Sequence, residues 1–142
     1  MKKVLTELVK YTCDQKGIRV EQLSDGTGFK FRLAGENSIF VGGIEFDEEQ
    51  GTISVLTYLP IKIPKNAMSK MTELVARINE IVHFGNFELH FETSRICYRT
   101  SIIFGNAPAC SEIIEHLVFT NWFSADEFFP VVAEVLFGKF TP

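Results

Sequence analysis

The sequence predicts an α+β fold in which helices pack on a twisted antiparallel sheet of about five strands. Apolar residues recur every three or four positions near both ends and in the middle of the chain. Two stretches between these regions instead alternate apolar and polar residues, as half-buried strands do. The predicted order is α-β-β-β-α-β-β-α(α), which lacks the regular strand-helix alternation of parallel sheets.

The amino-terminal half predicts one helix and a three-stranded meander. Residues 4–13 have apolar side chains at helical spacing, and Gly17 offers a left-handed stop after them. Alternation over residues 29–33 predicts a first strand with one buried face. Residues 38–46 and 52–59 are rich in β-branched and aromatic side chains and flank a polar loop, so they are expected to form a hairpin.

The central region predicts a helix followed by a second hairpin. Apolar residues repeat at helical spacing through residues 67–82. In the next strand, alternation places Phe87, Leu89 and Phe91 on the buried face, and residues 95–104 form the returning strand.

The carboxyl end predicts two helices. Asn106 is a good capping residue and is expected to open the first. Residues 124–127, Ser-Ala-Asp-Glu, have the form of a capping box and are expected to start a separate final helix. Pro130 then implies that this helix starts late or bends.

Length and composition are those of one globular domain, taken as residues 1–142. The net charge of -4 gives no basic footprint, so nucleic acid is not an expected partner. No stretch is apolar enough to span a membrane, and the start Met1-Lys2-Lys3 does not lead into a secretory apolar core. Three cysteines without Cys-x-x-Cys spacing fit a reducing compartment, so a cytoplasmic protein is expected.

The common signatures of catalysis and cofactor binding do not occur. The sequence contains neither the Gly-x-Ser-x-Gly elbow of α/β-hydrolases nor a phosphate-binding P-loop, and its glycine cluster lacks the third glycine of a dinucleotide fingerprint. We therefore predict a non-enzymatic protein with no cofactor and no metal site.

Two weaker signals each have a structural alternative. His90 between Glu88 and Glu92 is suited to a cation, but the same alternation is typical of a solvated strand face, which we favour. Cys97 and Cys110 are interpreted as small hydrophobic residues and not as reactive thiolates.

Aromatic residues make up 13% of the chain and are concentrated in its last quarter. They are too close together for a single helical stripe to bury them all. The domain either wraps this segment over the sheet or exposes part of it for association. The residues concerned are Phe119, Trp122, Phe123, Phe128, Phe129, Phe137 and Phe140.

Several local strings resemble the bacterial YbjN family, described as sensory transduction regulators. The stretch from Ala76 to Phe104 contains the matching features, which are Asn79, Gly85, Phe87 and Tyr98-Arg99. The closing strings Phe-Phe-Pro at 128–130 and Leu-Phe-Gly at 136–138 are also similar to that family. The likeness covers about residues 20–138, but the hairpin tip, Glu-Thr-Ser at 92–94, lacks a glycine that we expect in relatives.

The resemblance implies a type III secretion chaperone-like fold, often assembled as a homodimer. Secretion chaperones of this fold bind extended segments of partner proteins through apolar patches. YbjN-like proteins are linked to stress responses and regulation, and the family brings no catalytic residues to carry over.

The resulting hypothesis is a dimeric module that binds a partner polypeptide through Phe119, Trp122 and Phe123, since large rings anchor most interface energy. The alternative is a small-molecule sensor or enzyme with a pocket between the sheet and the central helix. There Arg77, Tyr98 and Arg99 would hold an anionic ligand. A purely structural subunit of a larger complex is not separable from the first hypothesis by sequence.

Overall fold

The computed structural model of the protein describes residues 4–138 and 142. Two sets of residues named in the sequence analysis lie outside the described residues. They are Met1, Lys2 and Lys3, on which the expectation about a leader partly rests, and Phe140 of the aromatic set. A short 3-10 turn, Lys65–Ala67, precedes the second helix. The helices and strands are α1 (Val4–Gln15), β1 (Val20–Gln22), β2 (Gly28–Ala34), β3 (Ile39–Asp47), β4 (Thr52–Tyr58), α2 (Met68–Ile81), β5 (Asn86–His90), β6 (Arg95–Ile103) and α3 (Ser111–Phe137).

The six strands form one antiparallel sheet in the order β1-β2-β3-β4-β6-β5. The predicted fold class and order of elements are confirmed. The sheet has one strand more than expected, because Val20 of β1 pairs with Phe31 of β2. A strand of three residues is too short to show a period of two in the sequence.

Alternation along the strands divides the sheet into two faces. One face packs against all three helices and forms two apolar cores, one with α2 and the end of α3, the other with α1 and the start of α3. The opposite face, called the open face below, carries exposed side chains. They include Lys30, Arg32, Val41, Glu45 and Ser101.

The closing region is one continuous helix, so the starts predicted at Asn106 and Ser124 are both wrong. The buried side of α3 follows a spacing of three and four residues through the point where a break was expected. That buried stripe consists of Ile114, Val118, Asn121, Ala125, Val132 and Val135. Asn121 is polar, and for this reason the apolar pattern is interrupted in the sequence although the helix is not.

Asn121 attaches α3 to the two central strands. It is fully buried, and its Nδ2 donates to the backbone oxygens of Val55 in β4 at 2.7 Å and Tyr98 in β6 at 2.9 Å. The same nitrogen lies 3.3 Å from Oγ1 of Thr100. The sheet thus satisfies the donors of this buried amide, while its Oδ1 has no hydrogen-bond partner among the described residues.

Asp126, the third residue of the predicted capping box, instead binds the loop between β2 and β3. Its carboxylate accepts hydrogen bonds from the backbone N–H groups of Glu36 at 2.8 Å and Asn37 at 2.9 Å. Its backbone oxygen would ordinarily bond the N–H four residues later, but that residue is Pro130, which has none. The Asn37 side chain supplies the missing donor at 3.0 Å. Gly35 fits beside this contact because a Cβ there would lie 2.6 Å from the carboxylate.

The first strand of the second hairpin ends at His90, two residues before the predicted end at Glu92. Phe87 is buried and Leu89 packs on the core, but β5 ends at His90, so Phe91 lies in the turn and is 66% exposed. The expectation that Phe91 is buried is therefore wrong. The turn ends at Ser94 with a φ of 60°, in the left-handed region that glycine adopts readily.

We predict that Asp126→Ala lowers the free energy of unfolding by about 2 to 3 kcal/mol, because two backbone donors lose a charged acceptor in a largely buried place. Urea unfolding followed by the fluorescence of Trp122, the single tryptophan, measures the change. Glu127→Ala, at the exposed neighbouring position, is the matched control and is expected to change stability by no more than about 0.5 kcal/mol. Equal effects of the two substitutions would contradict this account of the contact between Asp126 and the β2-β3 loop.

Candidate protein-binding surface

Three aromatic side chains on one flank of α3 form a cluster, called the ring cluster below: Phe119, Trp122 and Phe123. Spacing of three and four residues places them side by side on a helix. The ring centroids of Trp122 and Phe123 are 5.2 Å apart and the rings are stacked. Phe119 lies 6.0 Å from Trp122 and 5.7 Å from Phe123. The structure therefore brings together the three residues singled out in the sequence.

The ring cluster has a buried base and an exposed edge. Trp122 is half-buried and packs against both apolar cores, and Phe119 packs against the core beneath α1. Phe123 is 58% exposed. The stacked rings are thus held by the fold, while one of them presents its surface to solvent.

The remaining aromatic residues of the last quarter divide between burial and exposure. Phe128 and Phe129 pack against the first core, and Phe129 meets Phe40 edge-on at 5.9 Å. Phe137 near the end of α3 is exposed. Some of the aromatic residues are therefore buried over the sheet and others are exposed, so each of the two interpretations holds for part of the set.

The two edges of the sheet differ in how their backbone is covered. At β5, the Asn79 side chain accepts a bond from the Phe87 N–H at 2.8 Å and donates to the Phe87 oxygen at 3.1 Å. These bonds use backbone groups that a further strand would need. In the described part of the chain, no side chain makes bonds of this kind to β1, so β1 is the freer edge.

A polar cluster lies on the open face, where β5 and β6 run side by side. Glu88 lies directly opposite Cys97, and His90 is two residues further along β5 on the same face. Nε2 of His90 is 3.1 Å from Oε1 of Glu88, and Sγ of Cys97 is 3.7 Å from that oxygen and 3.6 Å from Nε2. Glu92, the other carboxylate considered in the sequence, lies in the exposed turn beyond the strand. Sequence reasoning missed Cys97 as a neighbour of His90, although the alternation of both strands around the turn could have indicated it.

The electrostatics of this cluster follow from one ion pair and one buried thiol. Nε of Arg99 donates to Oε2 of Glu88 at 2.7 Å, and this hydrogen bond holds the pKa of Glu88 below its usual value. Burial, assisted by the nearby carboxylate, raises the pKa of the Cys97 thiol to about 12. The thiol is therefore protonated and is not a poised nucleophile.

The alternative ligand pocket is not assembled by its three predicted residues. Arg77 lies on the exposed side of α2, where its Nη2 is 3.3 Å from Oε1 of Glu73. Tyr98 is buried in the core, and its hydroxyl donates to the backbone oxygen of Phe84. Arg99 is the next residue of β6 and so points to the opposite face of the sheet. The two arginines therefore lie on different surfaces, and the tyrosine between them in this hypothesis is buried.

Comparison with solved structures places this fold among known proteins. A chain of the ExsC-ExsE complex superposes with a TM-score of 0.65 at 11% identity, covering 93% of this chain and 96% of that chain. YbjN from E. coli gives a TM-score of 0.59 at 11% identity, with 91% and 89% covered. The HopA1-SchA chaperone-effector complex gives 0.58 at 9% identity, with 92% and 99% covered. The expected secretion chaperone-like fold is confirmed, and identities this low show the fold alone.

Sequence comparison identifies the family. No curated protein matches the chain in sequence. Within the described residues, no helix combines the length and the apolar character needed to cross a membrane. Residues 6–134 match the YbjN family, which is described as "Putative bacterial sensory transduction regulator". Because this match covers nearly the whole chain and YbjN itself shares the fold, the chain belongs to the YbjN family.

Proposed function

We propose that the protein is a non-enzymatic, single-domain binding module, chaperone-like or regulatory, which acts as a homodimer in the cytoplasm and recognises a partner polypeptide. The observation that carries this proposal is the ring cluster, in which Phe123 is 58% exposed although it is stacked on a Trp122 anchored in both cores.

The geometry of the ring cluster suits protein recognition. Exposed aromatic surface on a folded protein tends to mark an interaction site, and tryptophan in particular is enriched among residues that carry most of the binding energy. Anchored rings lose little conformational freedom when a partner binds, so most of the apolar contact contributes to affinity.

The backbone of β1 offers a second mode of contact. An extended segment of the partner can add to a free sheet edge and gain main-chain hydrogen bonds. Because Asn79 occupies the Phe87 backbone at the β5 edge, we assign strand addition to β1.

The comparisons support a polypeptide partner. Two of the proteins with this fold were solved in complexes, ExsC with ExsE and a chaperone with its effector in HopA1-SchA. The family description, a sensory transduction regulator, also concerns regulation and not catalysis. The small-molecule alternative lacks comparable support, because Tyr98 is buried in the core while Arg77 and Arg99 lie on two different surfaces.

We predict that Phe123→Ala reduces recovery of the partner about tenfold or more, because truncating a ring that anchors an interface costs more than about 1.4 kcal/mol. Capture from a lysate of the source organism, quantified by mass spectrometry, compares this variant with wild type. Phe91→Ala is the matched control, since Phe91 is also exposed but lies in the β5-β6 turn. Phe123→Ala is preferred to Trp122→Ala because Trp122 also supports both cores.

The result that contradicts the assignment is recovery of the same proteins, in the same amounts, by wild type and Phe123→Ala. Loss of the partner in Phe91→Ala alone would indicate that the binding surface lies at the tip of the β5-β6 hairpin.

We also predict that the wild-type protein sediments with twice the 16.1 kDa mass of one chain. Analytical ultracentrifugation over a range of concentrations measures this mass. Iodide quenching of Trp122, measured in parallel on dilution, reports whether dimer formation covers the ring cluster. A monomer at every concentration would contradict the proposed dimer.

A further inference from the structure

The hairpin of β5 and β6 places three different metal-ligating side chains on the open face, on the opposite side of the sheet from the ring cluster. Glu88 and Cys97 are a directly opposed cross-strand pair, and His90 follows Glu88 on the same face of β5. The ligand atoms of all three lie within 4.8 Å of one another. Paired strands hold their side chains at fixed separations, so the arrangement does not depend on a mobile loop.

The distances fit a tetrahedral zinc ion. With Zn–S near 2.3 Å and Zn–N or Zn–O near 2.0 to 2.1 Å, tetrahedral angles require the ligand atoms to lie about 3.3 to 3.6 Å apart. The observed separations are 3.6 Å from Cys97 Sγ to His90 Nε2, 3.7 Å from Sγ to Glu88 Oε1, and 3.1 Å from Nε2 to Oε1. Each differs from the tetrahedral requirement by no more than a few tenths of an ångström, so little rearrangement is needed.

The surroundings orient these ligands. Arg99 Nε binds Oε2 of Glu88 at 2.7 Å and thereby turns Oε1 toward His90 and Cys97. Nη2 of Arg99 also lies 3.3 Å from Oε1, which still has a second lone pair for a metal. The His90 ring packs edge-on against Tyr58 at 6.2 Å. Supporting contacts of this kind commonly fix the orientation of metal ligands.

Solvent reaches the cluster from one side. A surface depression leads to His90, and its lining consists of Tyr58, Lys62, His90, Thr93 and Arg95. The side chains of His90 and Glu88 are 32% and 28% exposed, whereas Cys97 is fully buried behind them. An ion can therefore reach the cluster from solvent on the side of His90.

We propose that Glu88, His90 and Cys97 bind one zinc ion through Oε1, Nε2 and Sγ, with a water molecule as the fourth ligand. One thiolate, one imidazole and one carboxylate form a donor set that suits zinc and not magnesium or calcium, which prefer oxygen alone. Binding replaces the S–H bond of Cys97 with a Zn–S bond and releases the proton to solvent. The ion links the edge strand β5 to β6.

The test uses the full-length reduced protein, freed of metal with a chelator and then titrated with Zn²⁺ or Co²⁺. We expect one Zn²⁺ per chain, a rise in melting temperature on binding, and no competition from excess Mg²⁺. Co²⁺ is expected to give the thiolate charge-transfer band and the intense visible bands of a tetrahedral site. His90→Gln, at a half-exposed position, is expected to weaken Zn²⁺ binding at least tenfold without unfolding the protein. Cys97→Ser is expected to abolish the charge-transfer band.

Two matched variants keep the test specific. Cys110→Ser removes an exposed thiol, and His116→Gln removes a histidine that faces Glu112 at 3.8 Å on the surface of α3. Both are expected to bind Zn²⁺ as wild type does. The proposal is overturned by absence of stoichiometric binding, by binding that persists in His90→Gln, or by a charge-transfer band that disappears in Cys110→Ser. Because the wild-type titration and His90→Gln decide the question, a Cys97→Ser variant that fails to fold does not affect the outcome.

Discussion

The buried amide of Asn121 is the contact on which the arrangement of this molecule depends. Its Nδ2 binds backbone oxygens of β4 and β6, the two strands at which the meander and the second hairpin join. Leaving a buried donor without a partner costs more free energy than one hydrogen bond contributes to stability. This amide therefore tolerates only one placement of α3 over the sheet. Asp126, one turn and a half further along, repeats the constraint by binding the loop between β2 and β3.

The two surfaces discussed above follow from that placement. With Asn121 and Ala125 directed at the sheet, the neighbouring positions on the flank of α3 bring Phe119, Trp122 and Phe123 to the boundary between core and solvent. The helices cover one face of the sheet completely enough to form two cores, and the other face remains available for polar side chains. The ring cluster and the Glu88-His90-Cys97 cluster, the two proposed sites, therefore lie on opposite sides of the same sheet and share no residue.

Much of the fold was accessible to sequence reasoning because its signals are local. The apolar repeat of α2 and the alternation of β2 come from neighbouring residues, and the structure reproduces both. The helix break predicted at Ser124 is wrong because the tetrapeptide at 124–127 is compatible with a helix start and also with a helix interior. Only the remote loop at Glu36 and Asn37 shows which role Asp126 has, since it supplies the donors for both the carboxylate and the oxygen left free by Pro130.

The candidate sites show where local information ends. Ring size was enough to single out Phe119, Trp122 and Phe123, but only the continuous helix α3 places them side by side. Strand alternation was enough to separate Tyr98 from Arg99, although the predicted pocket ignored it. The sequence therefore determines how apolar residues repeat along the chain. This repeat predicts the helices, the strands and the buried face of each. The exposure of Phe123 and the meeting of His90 with Cys97 depend instead on packing and on the register of β5 against β6. The exposure of Phe123 is set by packing between residues far apart in the chain, which no short window of sequence contains. The meeting of His90 with Cys97 is set by the register across the β5-β6 turn, which alternation indicates only once the turn is placed correctly.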